Sequence, residues 1–438
     1  MEEIDTEPLS IVSIPLDLPV AENPPSYGQL VGGSSLFGTI ELCSEIFKFG
    51  RDPRCNLVID QTHFPPSLRS FISNVHFILQ KDLKDHCSPT YIIDNSMNGT
   101  SVNGTLIGKN NRIILMHGDI ISIASFANLF VYYQHSYTVP KEIVTESLKQ
   151  SYHIGKTLGS GSFGTVYLLH AIATCKPYAL KVVKKTRVVA QMNNTSCLDN
   201  EVYIMKKLNH PCIIKMFEFI EEPGSICMVI EYMQGGDLLT RILDNHHLSE
   251  HIAKFFFYQL CEAIRYLHDK GIIHRDLKPD NILLKDSNIY TLLKVSDFGS
   301  SKFLGNNVLM RTICGTPEYV APEVLEHGNQ KPYTRQIDIW SLGVVLYTML
   351  SGLLPFAKSD GITDIEQIKR GQFTLSYPVF RSVNSCRVKK LIYDILNVDP
   401  KKRPTITMLV QSEWFRDSNE VQQAKCMMNE FKNVSVSI

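Results

Sequence analysis

His274-Arg275-Asp276-Leu277-Lys278-Pro279-Asp280-Asn281 is followed sixteen residues later by Asp297-Phe298-Gly299. These residues bring a candidate base, a phosphate-directed lysine and two candidate metal ligands into one short stretch. Phosphoryl transfer asks little covalent chemistry of a protein. It needs an oriented hydroxyl, divalent metal on the phosphates and positive charge where negative charge accumulates. In that chemistry Asp276 accepts the proton of the attacking hydroxyl and Lys278 lies near the transferring group, while Asn281 and Asp297 hold Mg²⁺.

Upstream residues test this reading independently. Gly159-Ser160-Gly161-Ser162-Phe163-Gly164-Thr165-Val166 is a glycine-rich loop whose backbone N–H groups could approach the phosphates of ATP. Taken alone the pattern is weak, because a dinucleotide-binding turn shows the same letters. Here a second strand-like run, Thr165 to Leu169, follows the glycines where a dinucleotide fold would open a helix. Tyr178-Ala179-Leu180-Lys181 then supplies a lysine on the next strand. Further on, Leu198, Val202, Met205 and Leu208 recur at helical spacing, and Glu201 lies beside that stripe, placed to pair with Lys181. Together these motifs resemble a protein kinase, an α+β bilobal fold.

Composition narrows the setting. The 438 residues, 44% hydrophobic, can bury several cores and suggest more than one domain. Lys+Arg and Asp+Glu are both 44, so the net charge of zero offers no global attraction to nucleic acid or an anionic membrane. The 11 cysteines are scattered without a CxxC pair or zinc spacing, as expected of reduced thiols. Met1-Glu2-Glu3 lacks the start of a signal peptide. The most apolar helix candidate, Ile337 to Leu350, is too short to span a bilayer and contains Asp338. Asn98, Asn103 and Asn194 match a glycosylation pattern that matters only in a secreted protein.

Residues 1–27, rich in proline and acidic residues, read as a disordered tail. Residues 28–135 show short strands and turns: Glu45 to Phe49, Val75 to Lys81, Thr90 to Asp94, Asn111 to Leu115, Asp119 to Ile123 and Leu129 to Gln134. Asn103-Gly104 and His117-Gly118-Asp119 suit tight hairpin connections between them. This predicts a separate all-β sandwich. A polar linker at 136–150 leads into the kinase region, 151–416, and 417–438 reads as a C-terminal tail.

The β region has its own constellation: Gly50-Arg51, Ser73-x-x-His76 and Asn98-Gly99-Thr100-x-x-Asn103, within about fifty residues. An arginine, a hydroxyl and an amide converging from loops can grasp a phosphate and the peptide backbone beside it. Together they resemble a forkhead-associated domain, the module that binds phosphothreonine peptides. The resemblance implies that Arg51 and Ser73 contact the phosphate and that Asn98 bonds the peptide main chain. His76 and Asn103 read as internal supports of the loops, and Asn74 stands where close relatives often place a basic residue.

A forkhead-associated domain followed by a kinase resembles the checkpoint kinase 2 family over roughly residues 30–415. Lys206-Lys207-Leu208-Asn209-His210-Pro211-Cys212-Ile213-Ile214-Lys215 and Leu309-Met310-Arg311-Thr312 carry the likeness. It implies a serine/threonine kinase of the calmodulin-dependent superfamily, nuclear, acting in DNA-damage or meiotic checkpoint signalling, with ATP and Mg²⁺ as cofactors. Its expected partners are phosphothreonine proteins, protein substrates and, transiently, a second copy for phosphorylation in trans. Relatives carry Ser-Gln and Thr-Gln sites, whereas this chain has no such dipeptide. Recruitment to an already phosphorylated partner is therefore the expected route, and a meiotic role gains weight.

The remaining kinase parts follow by the same resemblance. Glu231-Tyr232-Met233 looks like the hinge that hydrogen-bonds adenine, with Ile230 as gatekeeper and Ala179 and Val166 beside the base. Asp237 and Asp280 sit where basophilic kinases select a substrate arginine. Thr312 and Thr316 are the activation-segment phosphorylation candidates, and Arg275 could receive the phosphate on Thr312. Glu323 and Arg403 are expected to form a buried pair. Ser249 should cap a core helix ending at Gly271. Gly315-Thr316-Pro317-Glu318-Tyr319 is a serine/threonine-type ending. The rival reading, a phosphothreonine-binding scaffold with an inactive kinase fold, predicts damage at Lys181, Asp276, Asn281 or Asp297, and all four are intact.

Overall fold

The computed structural model describes residues 26–33, 37–61, 63–64, 66–123, 126–135, 146–161, 164–185, 203–222, 224–303, 317–327, 334–356, 364–381, 383 and 385–434. They divide into two compact units, residues 1–156 with 170–176 and residues 157–169 with 177–438.

The first unit is built from short strands whose side chains alternate between core and water. Among its described residues the strands are β1 (Gly28–Gly32), β2 (Thr39–Leu42), β3 (Ile46–Gly50), β4 (Leu57–Val58), β5 (Phe77–Gln80), β6 (Thr90–Asp94), β7 (Thr100–Val102), β8 (Thr105–Leu106), β9 (Arg112–Leu115), β10 (Ile120–Ile123) and β11 (Phe126–Gln134). One sheet runs β2-β1-β11-β10-β7-β8 and the other β4-β3-β5-β6-β9. Phe47, Phe49, Phe77, Leu79, Ile92, Ile121, Ile123 and Phe130 from the two sheets share one core. Phe49 and Phe77 are directly opposed across β3 and β5, with rings stacked at 4.7 Å. Such cross-strand aromatic pairs fix register, because a slip of one residue would turn both rings to solvent.

Asn103 and Gly104 form the expected two-residue turn, both with positive φ (51° and 81°), between β7 and β8. His117-Gly118-Asp119 does not close a hairpin. Strand β9 pairs with β6 in one sheet, while β10 pairs with β7 and β11 in the other, so this turn crosses between sheets. A turn signal reports a change of direction and is silent on which sheet the next strand joins.

The second unit contains most of the five-stranded sheet β12-β13-β14-β16-β15, with β12 at Tyr152–Gly161, β13 at Gly164–Ala171, β14 at Pro177–Lys184, β15 at Met216–Glu221 and β16 at Ser225–Glu231. The helical part is organised around α1 (Leu238–Asp244), α2 (Glu250–Asp269), α3 (Gln336–Ser351) and α4 (Cys386–Ile395). Ser249 caps α2 by accepting from the Ile252 amide, and Gly271, with φ 72°, turns the chain out of the helix. Phe256, Leu260, Ile264 and Leu267 are fully buried along it, as the spacing predicts. Four short strands follow: β17 (Ile272–Ile273), β18 (Ile282–Leu284), β19 (Leu293–Val295) and β20 (Lys302–Phe303).

Arg403 is 3% exposed and donates from both Nη atoms to the Glu323 carboxylate at 2.8 and 2.7 Å. Its other N–H groups reach the carbonyls of Gln336, Asn397 and Val398. The paired fork satisfies a charge that would otherwise be costly to bury.

The segment read as a C-terminal tail is, over Asn419–Val434, a helix, α5, packed on α2. Val421, Ala424 and Met428 are buried in the common core, with Met427 and Phe431 packed against it. Its apolar stripe is narrow among polar residues, which is why the sequence gives so faint a helical signal there.

Candidate functional site

The turn from His274 to Asn281 is held by a residue far away in sequence. Asp338, fully buried on α3, accepts from the backbone amides of His274 (3.0 Å) and Arg275 (2.9 Å) and pairs with His268 Nε2 at 2.9 Å. Burial alone would raise the Asp338 pKa, but its bond to His268 and the neighbouring positive charge outweigh this and hold it below the ordinary carboxylate value. Arg275 adopts φ 70°, a left-handed backbone that costs energy in a non-glycine residue, and it does so where the carboxylate grips its amide.

That grip shapes the next residues. Asn281 donates from Nδ2 to the Asp276 carbonyl at 2.8 Å and to Asp276 Oδ2 at 3.0 Å, fixing the carboxylate's rotamer. Lys278 Nζ lies 3.6 Å from the same oxygen. Strands β18 and β19 pair with Ile282 opposite Val295, so Asn281 and Ser296 flank one end of the ladder. Ser296 confirms the closure by donating to the Asn281 carbonyl from both its amide and Oγ at 2.9 Å. Asp297 follows, also left-handed at φ 61°. The register therefore delivers Asp276, Asn281 and Asp297 to one place.

Lys181 comes from β14 and meets Asp297 Oδ1 at 3.1 Å. Burial would raise the Asp297 pKa, but the charge and hydrogen bond of Lys181 hold it below its usual value, so the group stays ionised. Its expected ion-pair partner Glu201 lies outside the described residues. On the same sheet Ala179 faces Ile230 across β14 and β16, and Tyr178 faces Glu231, so the proposed hinge begins where the lysine strand's pairing ends. Ala179, Ile230 and Met233 are buried.

Gly164 is required by packing: a Cβ there would come within 2.2 Å of the Val182 carbonyl oxygen. Gly159 and Gly161 differ, since a Cβ at either would meet nothing within 4 Å. The protein itself does not demand glycine at those two positions, and their open side is free for a phosphate chain. Ser162 and Phe163 lie outside the described residues. The donor set suits a hard divalent cation: Asp297 is ionised, and Asn281 spends its amide nitrogen on Asp276, leaving carbonyl oxygen for metal.

Asp237 caps α1, accepting from the Thr240 amide through Oδ1 at 2.7 Å. The 3₁₀ turn Pro279–Asn281 packs beside α1 and carries the exposed Asp280. Thr312 and Thr316 lie outside the described residues.

In the first unit, two loops meet at Gly50-Arg51 and Ser73-Asn74. A Cβ on Gly50 would lie 2.1 Å from the Asn74 carbonyl oxygen, so only glycine permits the approach. The Arg51 amide donates to the Ser73 carbonyl at 3.2 Å and the Arg51 side chain is exposed. Ser73 Oγ accepts from the Met97 amide at 3.0 Å, and Asn98 Nδ2 donates to the Phe71 carbonyl at 2.8 Å. Arg51, Ser73 and Asn98 are thus brought to neighbouring loop tips.

His76, fully buried, links these loops. Nδ1 accepts from the Ser73 amide at 3.1 Å, which leaves Nε2 to donate to the Gly99 carbonyl at 3.4 Å. Burial lowers its pKa and favours that neutral form. Asn103 takes the supporting part expected of it, donating to Asp119 Oδ1 at 2.7 Å and accepting from the Ile120 amide at 2.9 Å. Sequence reading missed Asp94. Buried at the end of β6, it accepts from Ser96 and Thr100 through side chains and amides alike, and Ser96 Oγ in turn takes the Gly99 amide at 2.8 Å. The recurring Asp94-x-Ser96 and Thr100 spacing was the available signal, since short polar side chains in that pattern build turns.

With the geometry in place, comparison with known proteins adds the family. A protein kinase domain matches residues 152–415 and an FHA domain matches residues 47–124. The chain is 44% identical over 398 residues to the ovarian-specific serine/threonine-protein kinase Lok of Drosophila melanogaster, covering 89% of this chain and 83% of that protein. It is 35% identical to the serine/threonine-protein kinase chk-2 of Caenorhabditis elegans, covering 89% and 82%. The serine/threonine-protein kinase cds1 of Schizosaccharomyces pombe is 33% identical, covering 86% and 83%.

Asp338 offers a direct test of how the turn is held. In Asp338→Asn an amide replaces a carboxylate that serves three donors, and each buried donor left unsatisfied costs about 1–3 kcal/mol. Phosphotransfer should fall at least about tenfold and the melting midpoint should drop at neutral pH. Because the folded Asp338 carboxyl titrates below its ordinary value, its stabilisation is complete above that value and fades as pH drops through the folded one. The gap in thermal melts between wild type and Asp338→Asn should therefore narrow on acidification below the ordinary aspartate value of about 3.9.

Proposed function

This chain belongs to the checkpoint kinase 2 family of serine/threonine protein kinases, and we propose that it serves nuclear DNA-damage or meiotic checkpoint signalling, recruited to phosphothreonine partners. The observation that carries this reading is the presence, in one chain, of an intact Asp276–Asn281–Asp297–Lys181 cluster and of Arg51, Ser73 and Asn98 on adjoining loop tips.

Asp276 accepts the proton of a substrate serine or threonine hydroxyl, its orientation set by Asn281. Lys278 lies by the transferring phosphoryl group, and Lys181 places charge on the ATP phosphates. Asn281 and Asp297 would hold Mg²⁺, which when bound would neutralise charge on the phosphates. The backbones of Glu231 and Met233 bond adenine between Val166 and Ala179, and Glu201 supports Lys181. In Asp276→Asn protein kcat should fall about a hundredfold to ten-thousandfold, the usual worth of a positioned base. Melting should hardly change, because no cavity opens. Substantial activity in folded Asp276→Asn protein would remove the assignment.

Asp237 and Asp280 supply negative charge for an arginine three residues before the target. The cap on α1 uses Oδ1 of Asp237, which leaves its second oxygen for a substrate. A peptide-library screen should show preference for that arginine and should lose it in Asp237→Ala. An unchanged profile would overturn this selection.

Arg51 donates charge-assisted hydrogen bonds to the phosphothreonine, with Ser73 on the same phosphate and Asn98 on the peptide main chain. Arg51→Ala should cut phosphopeptide affinity by about tenfold to a hundredfold. Docking raises the local concentration at which two copies meet, so phosphorylation of Thr312 in trans should decline as well. Artificial dimerisation of the Arg51→Ala protein should restore Thr312 phosphorylation. Normal binding by Arg51→Ala would refute the phosphate site; normal Thr312 phosphorylation despite lost binding would refute recruitment.

A further inference from the structure

Lys294 is a buried charge that none of the chemistry above uses. It lies on β19, three residues before Asp297, and is 1% exposed. Its Nζ stands 2.9 Å from Glu231 Oε2 and 3.4 Å from the Ile213 carbonyl oxygen. The ring of Phe431, near the end of α5, covers it at 4.1 Å from the ring centroid, and Lys285 lies 5.8 Å from the same centroid. One ammonium thus touches the last residue of β16, the segment leading into β15 and the C-terminal helix.

The nature of each tie matters. Glu231 Oε2 is buried 2.9 Å from Lys294 Nζ, and charge attraction leads between them, with hydrogen bonding second. Its strength therefore depends on how well water is kept out. Burial depresses the Lys294 pKa, and the attraction of Glu231 offsets only part of that cost. A phenyl face supplies negative quadrupole to a cation and excludes water at the same time. Backbone bonds extend the connection: Val295 donates to the Cys212 carbonyl at 2.9 Å, and Ile214 donates to that of Val295 at 3.0 Å. Glu231 is further fixed by donating its amide to the Lys215 carbonyl at 2.9 Å.

We propose that Lys294 is a positioning residue for the adenine hinge, and that Phe431 of the C-terminal helix completes it by covering the Lys294–Glu231 pair. Glu231 offers its backbone to the nucleotide while its side chain is taken up by Lys294. Loosening that side chain shifts the backbone that adenine reads. The C-terminal helix thereby contributes to ATP affinity from outside the nucleotide site. This inference rests on the hinge reading of Glu231 and Met233.

Steady-state kinetics with ATP and a peptide substrate separate the possibilities. Phe431→Ala should raise the KM for ATP by about threefold to tenfold, with kcat and the peptide KM within about twofold. Phe431→Tyr keeps the ring face and should restore the wild-type value. Phe431→Leu keeps apolar cover without the ring and should fall between Phe431→Ala and wild type, which guards against simple loss of folding. In a Lys294→Met background, Phe431→Ala should add nothing to the ATP KM. An ATP KM within twofold of wild type in both Phe431→Ala and Phe431→Leu, no recovery in Phe431→Tyr, or full additivity with Lys294→Met would each overturn the proposal. The hinge reading is tested apart from it: Ile230→Gly should accept ATP enlarged at the adenine amino group. Refusal of that analogue would sink the hinge, whatever Phe431 does.

Discussion

The grip of Asp338 on the His274 and Arg275 amides is the constraint from which the active region follows. A carboxylate in a fully buried helix is stable only if its lone pairs are filled, and two of its three donors are backbone groups of a loop. The loop cannot relax without orphaning that charge, so the left-handed backbone at Arg275 is enforced. Everything downstream inherits the geometry: the Asp276–Asn281 bonds, the Ser296 closure and the placement of Asp297 beside Lys181. Strain at one residue is balanced by a network, and that balance gives a catalytic loop its fixed shape.

The first unit reaches the same end by a different route. Among its described residues there is no long helix to anchor the loops, and buried polar side chains do the work from within. His76 joins the Ser73 loop to the Asn98 turn, and Asp94 builds that turn through Ser96 and Thr100. Asp94 stays ionised because four donors outweigh the cost of its burial. Both sites thus present functional groups on loops whose supports are neutral or fully paired inside.

Legibility in the sequence followed the range of the interaction. Asp276, Lys278, Asn281 and Asp297 lie within a short stretch and announce themselves by spacing, as do the glycine-rich loop and Lys181. The six strands expected in the first unit are all present, with ends shifted by a few residues. Strands β4, β7 and β8 escaped notice because two or three residues carry too little alternation to register, and β1 and β2 were missed as well. Asp338 was visible as a lone charge in an apolar run, yet its partners lie 64 and 63 residues away, and no local pattern encodes them. The helix α5 was missed for a related reason: Val421, Ala424 and Met428 mark its buried edge, and what they pack against is remote in the chain. Asp237 taught the opposite lesson, since its local duty as a helix cap is what the structure displays first.

The bond from the Gly99 amide to Ser96 Oγ has one more effect. Asparagine followed by glycine is the dipeptide most exposed to spontaneous deamidation, in which the next residue's backbone nitrogen attacks the side-chain carbonyl. At Asn98-Gly99 that nitrogen is occupied by Ser96, and the Asn98 amide is tied to the Phe71 carbonyl. The contacts that shape the turn thereby also slow its chemical ageing, and the residue proposed to read a peptide backbone keeps its neutral amide.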